Sequence, residues 1–342
     1  MLGRTGAYLI TDQSTRLYFT GYSSTDGYLV FINDKKYFVI DSRYIYAAKR
    51  ALKGTGIEPK LGSLKETLAL LGESGVKEVF VDYTKTTLDM AQQLTLSGFH
   101  LSDCAEEIKE ARITKTEKEI ALIKKACSIA EKAFKMLIPF IKEGVTEIEL
   151  ATRLENNFRA LGAEKPSFET IVGFGANSAV PHHETGRTKL TENSVVLIDF
   201  GCVYKGYCSD ITRTMFFGKP TAEFKKAYKA VGDAFDAALY GIREGMSGEV
   251  CDSLARNSLK AAGLDKYFTH SLGHGVGVDI HEDPYLSPRG KRNILADNVF
   301  TIEPGVYFDG KFGIRTENTV VLTSEGVKSM VDLPRSLKVI KP

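Results

Sequence analysis

The spacing of apolar and polar residues divides the chain into two regions. Up to about residue 110, short apolar runs predict strands in AYLITD, RLYFTGY, DGYLVFI, KYFVID and KEVFVDY, and YIYAAKRAL predicts a helix. Asn33 and Asp34 mark a hairpin turn between the third and fourth of these strands. This alternation predicts a smaller α/β domain over residues 1–112, in which we identify no ligand cluster and no phosphate-binding loop.

The second region, residues 113–342, begins with a helical pattern. Thr116 and Glu119 form a capping box at its start. We expect the helix to continue until Gly144 stops it. Its apolar stripe consists of Ile120, Ile123, Ala126, Ala130, Phe134 and Leu137.

A second capping box, Thr146 with Glu149, predicts another helix to about residue 161, and two more helices are predicted near 222–242 and 248–262. Pairs of helices therefore alternate with hairpins. This order indicates an α+β unit that is duplicated within the region.

The first predicted hairpin, in residues 195–217, carries two acids in otherwise apolar strands. If Tyr204 and Lys205 form the loop, Asp199 lies opposite Asp210. Like charges opposed across a strand pair are destabilising unless a cation lies between them. The pair therefore points to metal binding.

The second predicted hairpin, in residues 298–323, repeats this construction. A turn centred on Gly310 places Glu303 across from Glu317. Carboxylate oxygens suit Mn, Mg or Ca, and one imidazole would widen the choice to Co, Zn or Fe. His274, in the Gly-rich stretch 269–284, is the obvious nitrogen ligand.

Four blocks of the sequence resemble a known family. HSLGHGVGVDIHE at 270–282, together with the DFG…SDITRT, TIEPG and IRTEN blocks, is similar in order and spacing to the Xaa-Pro peptidases, the prolidase and aminopeptidase P branch of the creatinase-fold, or pita-bread, metallopeptidases. The resemblance covers essentially the whole chain. It implies a pseudo-symmetric C-terminal pita-bread domain preceded by a smaller α/β domain.

The resemblance also implies a set of metal ligands. Asp199 would chelate one ion, Asp210 and Glu317 would bridge two ions, and His274 with Glu303 would bind the second ion. The implied cofactors are two divalent metal ions, with Mn or Co foremost and Zn or Fe as alternatives.

By the same resemblance His182, His270 and His281 line the substrate side, and His182, His281 and Glu303 take part in catalysis. Glu303 would accept a proton from the attacking water. Arg315 is a further candidate that could orient a carboxylate or the substrate, with an ordinary surface ion pair as the alternative.

His281 lies seven residues after His274, which would point the two side chains to opposite faces of a regular strand. A bulge or bend at Gly275 or Gly277 is needed to bring both into one site. We leave His183 out of the site, as a solvent-facing residue or one with a local structural role.

The implied reaction is hydrolysis of the Xaa-Pro bond at a free N-terminus. In prolidases an arginine follows the HExP block, where this chain has Tyr285, with Arg289 four residues later. This departure favours an Xaa-Pro aminopeptidase similar to aminopeptidase P, and the alternative is an Xaa-Pro dipeptidase, or prolidase.

Three other classes remain as hypotheses. A methionine aminopeptidase shares the five ligands but usually lacks such an N-terminal domain. A creatinase-type amidinohydrolase uses the fold without metal ions, and a binding protein on this fold would usually have lost ligands. All five ligand types are retained here, which argues against the last two.

Composition is consistent with an enzyme of this kind. The net charge of +2 over 342 residues gives no reason to expect nucleic acid, and we find no segment typical of a membrane span or a signal peptide. Five cysteines, an odd number, fit a reducing cytoplasm, with Cys202 and Cys208 expected as free thiols. The resemblance implies a homodimer that binds proline-containing peptides.

Overall fold

The computed structural model describes residues 3–342, which form two compact units, the first ending at Arg112 and the second spanning Ile113–Pro342. None of the helices in this described range is both long enough and apolar enough to cross a membrane. All predicted site residues lie in the second unit.

The first unit has one mixed sheet of six strands in the order β4-β3-β2-β1-β5-β6, flanked by helices. Its elements are β1 Ala7–Ile10, α1 Gln13–Thr20, β2 Tyr28–Ile32, β3 Lys35–Ile40, α2 Ile45–Ala51, β4 Ile57–Leu61, α3 Leu64–Glu73, β5 Glu78–Val81, α4 Leu88–Leu96, β6 His100–Asp103 and α5 Ala105–Ile113. The predicted turn is confirmed, because Ile32 pairs with Lys35 and Asn33 has a φ of 52°.

The run RLYFTGY, predicted as a strand, is instead the end of helix α1. Asp12 caps this helix by accepting a hydrogen bond from Thr15 N at 2.9 Å, and Gly21, with a φ of 67°, ends it. Inside the turn that follows, the buried guanidinium of Arg16 donates to Ser24 O and Gly27 O. These local caps outweigh the strand propensity of the aromatic residues.

The second unit combines two helix pairs with sheets that are antiparallel except for one parallel pair, the last strand of the chain with the strand Ile211–Phe217. Its elements are α6 Glu117–Leu137, α7 Glu147–Ala160, β7 Lys165–Pro166, β8 Ile171–Phe174, β9 Ser194–Phe200, β10 Cys202–Tyr204, β11 Tyr207–Cys208, β12 Ile211–Phe217, α8 Ala222–Gly241, α9 Gly248–Ala261, β13 Gly273–Gly275, β14 Glu282–Leu286, β15 Val299–Ile302, β16 Gly305–Phe308, β17 Phe312–Arg315, β18 Asn318–Thr323, β19 Gly326–Ser329 and β20 Lys338–Ile340. Both predicted capping boxes are present.

Helix α6 ends at Leu137 rather than near Gly144. Proline lacks a backbone N–H and clashes with the preceding turn, so Pro139 ends the regular α-helix and the chain passes through a 3₁₀ turn, Ile138–Phe140. The predicted apolar stripe packs inward, and the ring of Phe134 stacks on that of Phe200 at 4.8 Å between centroids.

Each half of this unit has a pair of helices on one sheet. Helices α6 and α7 pack against the sheet β20-β12-β9-β8, and α8 and α9 pack against β14-β13-β15-β18-β19. The N-cap residues of α7 and α9 also correspond. Thr146 forms an isolated antiparallel β-bridge with Lys189 in the first half, and Ser247 forms one with Asn293 in the second. The predicted α+β pita-bread fold is confirmed.

The two acid-bearing hairpins differ in how well their register was predicted. In the second, Ile302 pairs with Asn318 and Gly305 with Arg315, so Glu303 and Glu317 lie opposite each other as expected. In the first, Asp199 pairs with Thr212.

The expected pairing of Asp199 with Asp210 is therefore wrong by two residues. A type I′ turn needs positive φ at both central residues, and Lys205 (47°) and Gly206 (81°) supply it, so the loop is one residue later than predicted. A shift of two residues keeps side chains on the same face, and Asp210 stays diagonal to Asp199.

Candidate metal centre

A cavity of about 870 Å³ in the second unit contains the predicted site residues. It is lined by the five proposed metal ligands, by the three proposed substrate-side histidines and by Arg315: Asp199, Asp210, His274, Glu303, Glu317, His182, His270, His281 and Arg315. Asp199 and Glu317, 118 positions apart in the chain, thus line one cavity because the two hairpins face each other.

Donor atoms of Asp210, His274 and Glu317 all lie within 4.8 Å of one another, a spacing that could hold a metal ion. His274 Nε2 is 3.5 Å from Asp210 Oδ2 and 3.5 Å from Glu303 Oε1. The site therefore combines carboxylate oxygens with one imidazole nitrogen.

Asp210 and Glu317 hold equivalent positions, each directly before the return strand of its hairpin. Thr319, two residues after Glu317, accepts from Asp210 N at 3.1 Å and donates to Asp210 O at 2.8 Å. The hydroxyl of Thr212, two residues after Asp210, donates to Glu317 Oε2 at 2.5 Å, and the backbone carbonyl of Thr212 accepts from Glu317 N at 3.2 Å. Each half of the unit thus fixes the central acid of the other.

Arg315 is only 4% exposed and binds the carboxylate of Asp199, with Nη2 2.7 Å from Oδ2. Its Nε donates to Thr212 Oγ1 at 3.0 Å, and its Nη1 donates to the Tyr307 hydroxyl at 2.8 Å. The alternative of a surface ion pair is wrong, because the guanidinium is buried and oriented by these partners.

Tyr307 connects this pair to His270. Its hydroxyl accepts from Arg315, so its single proton is directed to His270 Nε2 at 2.8 Å. Because Nε2 accepts this proton, the N–H of the neutral His270 ring is at Nδ1, which donates to Ser271 O at 2.8 Å. Both ring nitrogens of His270 are therefore engaged by protein atoms.

The bulge expected near Gly275 is present. The register of β13 against β14 shifts between Gly273 and Gly275, and the bend that follows brings the ring of His281 to 4.3 Å from that of His274. A Cβ on Gly275 would come within 2.2 Å of Asp283 O, so no larger residue fits this bend without a shift of the backbone.

His182 is exposed on a loop that forms one wall of the cavity, whereas His183 is partly buried and lies 3.0 Å from Glu147. The expectation that His183 has a local structural role is consistent with this contact. Arg289 is not among the described residues that line the cavity, whereas Tyr285 is.

Burial dominates the electrostatics of the site. Burial, followed by the charges of Glu317 and Asp199, raises the pKa of Asp210 well above its usual range, and burial with the charges of Glu303 and Asp199 does the same for Glu317. Burial raises the pKa of Glu303 to about 8. Burial also lowers the pKa of His274 to about 3, so its imidazole is neutral and able to bind a metal ion.

The residues present fit divalent metal ions. Asp199 Oδ1 is buried and has no hydrogen-bond partner within the described range, which is costly unless another group binds it. Four acids share a site with one partnered arginine, so cationic charge is needed to keep them ionised together. Oxygen ligands with one imidazole suit Mn, Co, Zn or Fe.

Sequence reasoning missed Tyr307, Thr212 and Thr319. Tyr307 could have been found, because in a hairpin centred on Gly310 it lies diagonal to Arg315 on the same face. The two threonines act between different hairpins, and no local pattern predicts such contacts.

Comparison with known proteins identifies the family. Residues 121–324 match Metallopeptidase family M24, and residues 4–114 match the Creatinase/Prolidase N-terminal domain. The chain belongs to metallopeptidase family M24, whose activity depends on divalent metal ions. Within this family it falls in the prolidase and aminopeptidase P branch, and it is an enzyme.

Three proteins illustrate the similarity to this branch. The chain is 41% identical over 230 residues to an Xaa-Pro dipeptidase of Pyrococcus furiosus, covering 67% of this chain and 66% of the relative. A solved Xaa-Pro dipeptidase from Bacillus anthracis superposes with a TM-score of 0.94 at 32% identity, covering 98% and 95% of the two chains. An X-Pro aminopeptidase from Thermotoga maritima gives 0.92 at 33% identity and covers 98% of both.

Proposed function

We propose that this enzyme is a metal-dependent Xaa-Pro dipeptidase. The observation that carries the proposal is the cavity that brings together four acids from two facing hairpins and the neutral imidazole of His274, and in which Asp199 Oδ1 is buried with no hydrogen-bond partner among the described residues. The similarity to proteins named as Xaa-Pro dipeptidases supports the dipeptide substrate. The sequence had favoured an aminopeptidase P-like activity, and the comparisons favour its alternative.

In this proposal the ligands are Asp199, Asp210, His274, Glu303 and Glu317, and two divalent ions, Mn or Co foremost, occupy the site. When bound, such ions would lower the pKa of water and polarise the scissile carbonyl. The residues must then hold the acids in place and handle protons.

Glu303 is the proposed proton acceptor. Burial favours its neutral form, and the Thr301 hydroxyl, 3.2 Å from Oε1, and the nearby His274 help to orient its carboxylate. Bound divalent ions would instead favour the ionised carboxylate, which is the form that accepts a proton.

His281 and His182 are the proposed imidazoles on the substrate side. Burial lowers the pKa of His281, so its neutral ring can donate an N–H to negative charge that develops on the substrate. His270 is proposed to support the Tyr307–Arg315 pair, because its nitrogens already have protein partners.

One observation keeps the aminopeptidase activity as a second candidate. Tyr285 stands where the resembled prolidases have an arginine, and its side chain is 46% exposed at the cavity. Without a cation at this position, a longer peptide can extend past the proline, whereas a dipeptide must find another partner for its carboxylate.

The test compares an Xaa-Pro dipeptide, an Xaa-Pro-Xaa tripeptide and an Xaa-Ala dipeptide, using chelator-stripped enzyme with and without Mn or Co. Metal-dependent cleavage of the Xaa-Pro dipeptide in preference to the other two supports the proposal. Preference for the tripeptide would replace it with an aminopeptidase P-like activity. Cleavage without metal, or of no substrate, would refute the metallopeptidase chemistry proposed for this site.

A further inference from the structure

Glu147 is a fully buried acid outside the proposed metal centre, at the first position of α7. Its carboxylate accepts four hydrogen bonds. Oε1 accepts from Phe174 N at 2.9 Å and Asn177 Nδ2 at 2.8 Å. Oε2 binds His183 Nε2 at 3.0 Å and accepts from Gly186 N at 3.1 Å. A carboxylate with this many donors is firmly fixed.

The four donors lie at the two ends of one loop, residues 174–186, which we call the His182 loop. This loop leaves β8 and contributes Pro181 through Thr185 to the cavity lining. One side chain thus ties both ends of a cavity wall to the start of a helix.

His182 depends on this anchoring for its position. Within the described residues its side chain makes no hydrogen bond, and it is exposed to the cavity. Its neighbours on both sides are held: Pro181 O accepts from Arg315 Nη1 at 3.5 Å, and His183 is bound by Glu147. The position of the His182 ring is therefore set by the backbone of the loop.

Glu147 is not needed to cap its helix. Thr146 and Glu149 form the capping box, with Thr146 N donating to Glu149 Oε2 at 2.8 Å and Glu149 N donating to Thr146 Oγ1 at 3.3 Å. The helix end is thereby satisfied without the Glu147 carboxylate, which is left to bind the loop.

We propose that Glu147 is a positioning residue that fixes the His182 loop and so holds His182 at the substrate side of the cavity. This role rests on the proposed function. It adds a determinant of activity that neither binds metal nor touches substrate.

The main variant is Glu147→Gln, which keeps the shape of the side chain but turns one acceptor oxygen into a donor amide. Either Gly186 N or Phe174 N then loses its acceptor. We expect kcat/KM on the Xaa-Pro dipeptide to fall by about 10–100-fold, as for a displaced catalytic group, with unchanged metal content. Glu149→Gln is the matched control, since it alters the exposed cap of the same helix and should leave kcat/KM unchanged.

A double-mutant cycle with His182→Ala separates positioning from general destabilisation. If Glu147 acts through His182, adding Glu147→Gln to His182→Ala costs little further activity. Full multiplication of the two losses, or wild-type activity of Glu147→Gln, would overturn the proposal. His183→Ala, which removes one contact with Glu147, should lower kcat/KM by less in the same direction and serves if Glu147→Gln does not fold.

Hydrogen exchange tests the anchoring without any activity. Amides of residues 182–186 should exchange faster in Glu147→Gln than in the wild type and in Glu149→Gln. Unchanged protection there would overturn the proposal even if the enzyme cleaves Xaa-Pro peptides. Faster exchange in a protein that does not cleave them would uphold the loop anchoring and refute only the dipeptidase activity.

Discussion

Replacing Arg315 by Met tests whether an arginine that need not touch the metal ions controls their binding. The change removes the partner 2.7 Å from Asp199 and the donors to Thr212 and Tyr307. It also removes the positive charge that lowers the pKa of Glu303 within the cavity. Both effects disfavour the ionised, oriented acids that a metal ion requires.

The expected size follows from these contacts. Loss of a partner that orients a ligand typically weakens metal binding about 10–100-fold, or ~1.4–2.8 kcal/mol. In metal-free protein the effect on stability is larger, about 3–5 kcal/mol, because the mostly buried carboxylate of Asp199 is left without a counter-charge. Bound metal ions would restore most of that loss.

The assay is equilibrium competition with a chelating dye, combined with thermal melting of metal-free and metal-loaded protein. Arg315→Lys is the control: it keeps the charge but cannot bind Asp199, Thr212 and Tyr307 together, so its affinity should fall between the other two. Wild-type metal affinity in Arg315→Met would refute the reasoning, because Asp199 would then need no such partner.

Three further predictions concern the acids and one buried ion pair. Asp210→Asn should reduce turnover to background and lower the metal content while the far-UV circular dichroism stays unchanged; retained turnover would contradict its assignment as a ligand. The pKa of Glu303 is raised from 4.5 to about 8, so this group favours the folded state at low pH; metal-free protein should melt at lower temperature as pH rises from about 4.5 to about 8, and saturating Mn should reduce this fall. A rise of that melting temperature with pH would contradict the sign. Lys115→Met should cost about 3–5 kcal/mol in denaturant unfolding, because the buried carboxylate of Glu282 loses a cation 2.8 Å away, and Glu282→Gln added to it should recover part of the loss.

Local patterns predicted much of the second unit. Capping boxes gave the starts of α6 and α7, and the three-residue loop around Gly310 gave the register of Glu303 and Glu317. Where local signals compete, prediction failed: the position of Gly206 decided the register of Asp199, and Pro139 ended α6 early.

Contacts between distant segments were beyond such patterns. The hydrogen bond between Thr212 and Glu317 joins residues 105 positions apart, and the one between His183 and Glu147 joins residues 36 positions apart. Neither has a characteristic spacing, because each is created by the packing of whole elements. The sequence thus indicated the proposed ligands, the substrate-side histidines and Arg315. Tyr307, Thr212, Thr319 and Glu147, which hold other parts of the site in place, were found only in the structure.

The approximate two-fold symmetry of the second unit bears on the order in which the proposed metal ions bind. Each half contributes two of the proposed ligand acids, and a perfectly symmetric arrangement would make the two proposed ion positions equal. His274 breaks this equality, because its Nε2 is 3.5 Å from Glu303 Oε1, whereas the nitrogen that contacts Asp199 among the described residues belongs to Arg315, a cation that cannot bind a metal ion. We therefore expect stepwise occupancy with two distinct affinities, the nitrogen-bearing position selecting borderline ions such as Co or Zn more strongly than its all-oxygen neighbour does.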